Sequence, residues 1–146
     1  MKGRGLLSAF YPDEWRESSY GLPYEVWYER GYRGIIFDID NTLVPHGAPA
    51  DERAVQLFQR LHRIGYETCL ISNNQLPRVK PFAEAVESWF VEDAHKPSTR
   101  NYLKACRRMG LPKEQVLFVG DQLFTDGWGA RRAGIRSILV KPIHPK

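Results

Sequence analysis

From residue 34 to residue 140 the chain alternates short apolar runs with longer stretches whose apolar side chains recur every three or four positions. The run Gly34-Ile35-Ile36-Phe37 stops at Asp38, and residues 34–38 read as a strand. Over residues 50–64, Ala54, Leu57, Phe58, Leu61 and Ile64 fall on one face of a helix, and Gly65 stands where a helix C-cap belongs. Residues 66–72 (YETCLIS) give a second strand. A short helix is expected over 77–86, although Pro81 argues against it because proline has no N–H for the helical ladder. Residues 89–91 read as a short strand, and 98–109 as a helix with Ser98 at its N-cap and Gly110 at its end. A strand over 115–119, a short helix over 125–133 closed by Gly134, and a last strand over 135–140 complete the pattern.

Strands alternating with helices predict an α/β fold: a Rossmann-like three-layer α/β/α sandwich around a mainly parallel sheet. Such sheets bind ligands at the carboxyl ends of their strands, near the switch point. That rule gives the polar residues after each apolar run a common place. Asp38 and Asp40 follow the first strand, Ser72-Asn73-Asn74 the second, and Asp121 the strand over 115–119. Three separate segments would thus deliver polar groups to one edge.

Residues 1–33 lack this pattern. They are rich in aromatics, from Phe10, Tyr11 and Trp15 to Tyr28 and Tyr32, and read as an irregular arm. The arm is expected to pack on a domain spanning 34–146. Its rings, with Lys2, Arg4 and Arg16, also suit peripheral contact with a membrane surface.

A length of 146 residues fits one domain with a core that needs no staples. The net charge of +4 admits an anionic partner such as a phosphate ester or a lipid surface. No run of five or six like charges marks a nucleic-acid tail, so nucleic acid is disfavoured. Cys69 sits in an apolar run and Cys106 in a helical pattern, without metal-ligand spacing, and both read as core residues. Nothing resembles a secretory leader or a bilayer span, so a cytoplasmic setting is expected, with any membrane contact peripheral.

Asp38 and Asp40, joined by Asp121, make a dense negative cluster. Carboxylates this close raise one another's pKa unless a cation neutralises them. An oxygen-only donor set suits Mg²⁺, which keeps waters and shares itself with phosphates, and soft ligands are missing. Phosphoryl transfer then needs in-line positioning and neutralised equatorial oxygens. Lys96 is placed to add positive charge, and Ser72 and backbone N–H groups to add hydrogen bonds. One carboxylate can attack phosphorus and form an aspartyl-phosphate. Its neighbour can protonate the leaving oxygen and later activate water. His46 lies near enough in sequence to line the site. Arg78 and Lys80 open the following helix, as ligands for a second phosphate or a lipid surface, or as a solvated face.

The ordered set Asp38-Ile39-Asp40-Asn41-Thr42, Ser72-Asn73, Lys96, and Gly120-Asp121-Gln122-Leu123-Phe124-Thr125-Asp126 resembles the four motifs of the haloacid dehalogenase (HAD) phosphohydrolases. FDIDNTLV, LISNNQLPRV, AHKPS and VGDQLFTD look like the YqeG-like group of subfamily IIIA, to which the mitochondrial phosphatidylglycerophosphatase is similar. The resemblance implies Asp38 as nucleophile, Asp40 as acid/base and Lys96 as the neutralising cation. Ser72, Asn73, Thr42 and Lys96 would surround the phosphate, with Thr42 also stabilising its loop. Asp38, Asp121 and the Asp40 carbonyl would hold Mg²⁺, helped by Asp126 through water or by orienting Lys96. Only 33 residues separate Asp38 from Ser72 and 23 separate Ser72 from Lys96, too few for an inserted cap. A capless, open site suits a phosphomonoester on a bulky carrier, such as the anionic phospholipid phosphatidylglycerophosphate, or a soluble sugar phosphate or nucleotide covered by an oligomer partner. A non-catalytic binding or regulatory role on the same fold is the remaining alternative.

Overall fold

The structure, a computed structural model, describes residues 14–92, 99–121 and 128–143, with the backbone alone for residues 15, 128 and 129. In chain order the elements are β1 (Glu14–Arg16), α1 (Tyr24–Glu29), β2 (Gly34–Phe37), α2 (Glu52–Ile64), β3 (Glu67–Ile71), α3 (Leu76–Val86), β4 (Trp89–Val91), α4 (Thr99–Met109), β5 (Val116–Gly120), α5 (Trp128–Arg132) and β6 (Arg136–Val140). Short 3-10 turns cover Ser19–Gly21 and Lys113–Gln115. The strands form one sheet in the order β1-β6-β5-β2-β3-β4, and every pairing among them is parallel. The chain runs outward from β2 through β3 to β4, then crosses back by α4 to β5. The switch point therefore lies between β2 and β5.

Because side chains alternate across a strand, β2 serves two cores. Ile35 and Phe37 enter a cluster with Tyr24, Leu57, Phe58, Val79 and Phe82, which belongs to α1, α2 and α3. Ile36 enters the opposite cluster with Tyr102, Cys106, Phe118 and Ala130, which belongs to α4 and α5. Helices thus cover both faces, as a parallel sheet requires. Aromatic pairs anchor each side, Phe37 against Phe58 at 5.1 Å and Tyr102 against Phe118 at 5.5 Å between centroids.

The helix expected over 77–86 forms, running Leu76–Val86 with Pro81 inside it. Val79, Phe82, Ala83 and Val86 repeat at helical spacing and are buried, and their packing outweighs the one hydrogen bond a proline removes. The first thirty-three residues are not irregular where they are described. β1 adds a strand beside β6, and α1 places Tyr24 and Trp27, both buried, in the core. Tyr20, Tyr28 and Tyr32 pack against the same cluster. These described rings are spent on the interior, while Phe10, Tyr11, Lys2, Arg4 and the Trp15 side chain lie outside the described residues.

Helix α2 starts two residues later than periodicity alone predicts. Asp51 caps it, its Oδ1 accepting from the Ala54 N–H at 2.8 Å. At the other end Gly65 adopts φ 123°, and a Cβ there would stand 2.5 Å from Tyr28 Oη. Gly65→Ala therefore meets both strain and overlap, and should destabilise the protein by more than about 1 kcal/mol in urea unfolding. The two thiols give a second check. Burial pushes the Cys69 thiol up to about 12 and Cys106 up to about 11. Ellman's reagent at pH 8 should therefore react with neither cysteine at an appreciable rate until denaturant is added.

Candidate active site

The parallel register of β2 with β5 sets Phe37 opposite Val119, so Asp38 and Asp121 leave neighbouring strands at the same edge. The Asp38 N–H carries the ladder one step further, donating to Val119 O at 3.1 Å. On the other side Phe37 pairs with Leu70 of β3, which brings Ser72 to the same edge. The Ser72 N–H donates to Val91 O at 3.1 Å, fixing that strand end against β4. Asp38 and Ser72 are both buried, at 5% and 2% exposure. A cavity of about 210 Å³ opens between the strand ends, lined by Asp38, Asp40, Asn41, His46, Ser72, Asn73 and Asn74.

Asp40 accepts from three donors. Its Oδ1 accepts from the Gly47 N–H at 2.8 Å and from Arg78 Nη2 at 2.8 Å. Its Oδ2 accepts from Asn74 Nδ2 at 2.9 Å. Burial alone would raise the carboxyl's pKa, but the Gly47 N–H and the Arg78 guanidinium outweigh it and hold the group below the usual carboxylate range. Asn74 also donates from its backbone N–H to Ser72 Oγ at 3.0 Å, so one residue ties the strand ends of β2 and β3 together.

The loop after β2 turns sharply. Asn41 takes φ 65°, a left-handed conformation that asparagine tolerates, and its N–H donates to Val44 O at 2.7 Å. Thr42 is buried and its hydroxyl donates to Asp121 Oδ1 at 3.4 Å, linking the ends of β2 and β5. It stands behind the cavity and is not among the residues that line it. The arm supports this loop from below. Ser19 Oγ donates to Thr42 O at 2.8 Å and Tyr20 Oη to Leu43 O at 2.6 Å. Tyr24 Oη in turn donates to Ser19 O at 2.6 Å.

Asp38, Asp40, Ser72 and Asn73 thus share one cavity, with Asp121 joined to it through Thr42. Lys96 and Asp126, expected to complete the set, lie outside the described residues, as do Ser98 and His95. Arg78 does not belong to a solvated face: its side chain is partly buried and ion-paired with Asp40. Its placement one turn into the helix that follows Ser72-Asn73-Asn74 is the signal the sequence offers for this role. Asn74 bridges Ser72 and Asp40.

Oxygen atoms dominate what a cation would meet here. Among the described residues no three His, Cys, Asp or Glu side chains are grouped closely enough to hold a metal ion. The fit of a hard cation rests instead on two carboxylates, Asp38 and Asp121, and on backbone carbonyl and water oxygens. Asn41 Oδ1 is buried with no hydrogen-bond partner among the described residues, an acceptor that metal-bound water would satisfy. The Asp40 side chain is taken up by its three donors, which leaves its carbonyl oxygen as the atom to face a cation.

Comparison with known proteins places these features in context. Residues 49–134 match the family described as haloacid dehalogenase-like hydrolase. The probable phosphatase YqeG of Bacillus subtilis is 38% identical over 139 residues, covering 94% of this chain and 81% of that protein. The glyceraldehyde 3-phosphate phosphatase of Methanopyrus kandleri is 37% identical over 95 residues, covering 65% of this chain and 35% of its own length. A solved structure titled a predicted phosphoglycolate phosphatase of Haemophilus somnus superposes with TM-score 0.58 at 18% identity, covering 75% of this chain and 85% of that one.

The contacts beneath the loop generate a test. Ser19→Ala removes a buried donor and leaves Thr42 O without it, at a cost of about 1–3 kcal/mol. Tyr20→Phe acts on a half-buried bond and should cost less, about 0.5–1.5 kcal/mol. Urea denaturation of the two variants checks the order.

Proposed function

The chain belongs to the haloacid dehalogenase-like hydrolases and is a phosphatase of that family, and we propose that it cleaves phosphomonoesters through an aspartyl-phosphate on Asp38. The observation that carries this reading is the convergence of Asp38, Asp40 and Ser72 on one small cavity at the switch point of the sheet.

An Asp38 carboxylate oxygen attacks phosphorus, and the bond from phosphorus to the ester oxygen breaks. Asp40 gives the departing oxygen its proton. Water then attacks the aspartyl-phosphate, Asp40 takes the water's proton, and the phosphorus–Asp38 bond breaks to release inorganic phosphate. The donors around Asp40 favour its ionised form, which suits the second half of this cycle. For the first half it must hold a proton, and the negative ester arriving beside it works in that direction. Ser72, Asn73 and the backbone N–H groups after Asp38 would hold the phosphoryl oxygens. Lys96 would neutralise them by the motif match, and Thr42 would act indirectly by fixing Asp121. Asp38, Asp121, Asp126 and the Asp40 carbonyl would hold a divalent metal, in this proposal Mg²⁺. Bound there, it supplies the positive charge that lets two carboxylates and a phosphate dianion share one cavity.

The substrate proposed is phosphatidylglycerophosphate, met peripherally at a membrane. Supporting this are the likeness to the YqeG-like group and the short connections, which leave no room for a cap. No helix among the described residues is long and apolar enough to cross a membrane.

Phosphate release, measured with Mg²⁺ and with EDTA, tests both levels. The panel pairs soluble sugar phosphates and nucleotides with phosphatidylglycerophosphate in mixed micelles. Release is expected to need Mg²⁺, to favour the micellar lipid, and to fall roughly 10³-fold or more in Asp38→Asn. Release from soluble esters alone would keep the chemistry and discard the lipid. Unchanged release in Asp38→Asn would remove the aspartyl-phosphate.

A further inference from the structure

Beside the cavity at the strand ends lies a second, larger one of about 280 Å³. Pro49 and Ala50, from the loop before α2, and Pro77, Pro81, Phe82 and Ala85, from one face of α3, line it. Pro49, Pro77, Pro81 and Ala85 are exposed, so this apolar wall is open to solvent and not part of the core. Prolines and alanine have no side-chain rotamers to freeze, so the groove is formed before anything enters it.

Its position relative to Asp40 carries the assignment. The two remaining lining residues are Gly47 and Arg78. These are the same two that donate to Asp40 Oδ1, each at 2.8 Å. The groove therefore begins one hydrogen bond beyond the Asp40 carboxylate. A general acid must sit within hydrogen-bond reach of the oxygen it protonates. Provided Asp40 is that acid, as proposed above, the leaving group departs on Asp40's side of phosphorus, toward this groove. We infer that the groove is the leaving-group subsite, and that it takes the apolar chain of an ester whose phosphate lies against Asp38. Arg78 is then the partition between the two chambers, its guanidinium paired with Asp40 and 5.7 Å from the Phe82 ring. The volume exceeds the roughly 150 Å³ that holds a benzene ring in an apolar cavity, so a chain of several carbons has room.

The chemistry selects by apolar length. Each methylene moved from water into the groove should raise kcat/KM about two- to fourfold, the lower figure reflecting an open wall. The test uses the full chain and monomeric methyl, butyl and hexyl phosphates below their micellar concentrations. Expected is a rise of about thirtyfold or more from methyl to hexyl, five methylenes at about twofold or more each. Ala85→Glu and Ala50→Glu place a carboxylate on the groove from opposite sides, and each should flatten that rise. Glu84→Gln, on the same helix but outside the groove, should retain it, and thermal melts confirm that each variant is folded. A preference that carries over to a phosphate ester embedded in mixed micelles gives the groove to a lipid chain. One confined to the monomers gives it to a soluble apolar ester. Turnover of methyl phosphate with no length dependence overturns the subsite and leaves the phosphatase standing. So does a length dependence that both glutamates leave intact. No turnover of any ester removes the reading of Asp40 as the acid, and the subsite with it.

Discussion

The constraint on which the site depends is the double parallel pairing of β2. Phe37 is opposite Leu70 on one side and Val119 on the other. Three chain segments far apart in sequence must therefore leave the sheet at one level and on one edge. A one-residue slip of β2 would turn Ile36 toward the wrong core and carry Asp38 to the opposite face. Two hydrophobic clusters, one on each side of the sheet, both oppose that slip. The buried residues of the fold thus set the positions of its polar ones.

The loop beyond β2 is less constrained by the sheet and needs its own support. The turn at Asn41 takes a left-handed conformation, which costs energy for a residue with a side chain. Support comes from both ends of the described chain. Ser19 and Tyr20 donate to Thr42 O and Leu43 O, and the Ile143 N–H donates to Asn41 O at 2.9 Å. The aromatic arm is therefore a brace under the loop that presents Asp40. Its tyrosines serve through their hydroxyls as well as their rings, which explains why Tyr24, buried and hydrogen-bonded to Ser19 O, is a tyrosine and not a phenylalanine.

Most of the sheet is legible in the sequence because parallel strands are buried on both faces and announce themselves as apolar runs. β4 has the expected bounds, and β2 and β3 lie within a residue of them. The misreadings have local causes. Ala50 fits the apolar period and so draws the start of α2 too early, while the cap at Asp51 is a hydrogen bond that periodicity does not report. The helix over 77–86 is read correctly, and Pro81 only weakens that reading because a propensity rule carries no information about the core that the helix covers. The arm is unreadable for the opposite reason: its elements are three to six residues long, shorter than either period needs to declare itself. In the site, Asp38, Asp40, Ser72 and Asp121 can be found because each stands just past the end of an apolar strand. Arg78 and Asn74 cannot be ranked, since their importance lies in reaching another segment, and sequence spacing does not record which way a helix leans.

Arg78 illustrates how much rests on that lean. A guanidinium beside a carboxylate in a half-buried site is favourable only when the remaining lone pairs are also met. Here Gly47 and Asn74 meet them, so Asp40 is ionised and held by groups from two different segments. Two of the three donors, Gly47 and Arg78, also line the apolar groove. Removing the Arg78 guanidinium would alter the acidity of Asp40 and the shape of the partition together. Acid strength and leaving-group preference are thus coupled in this chain through a single carboxylate, and a substitution that changes one without the other must act farther out, on the proline and alanine wall of the groove.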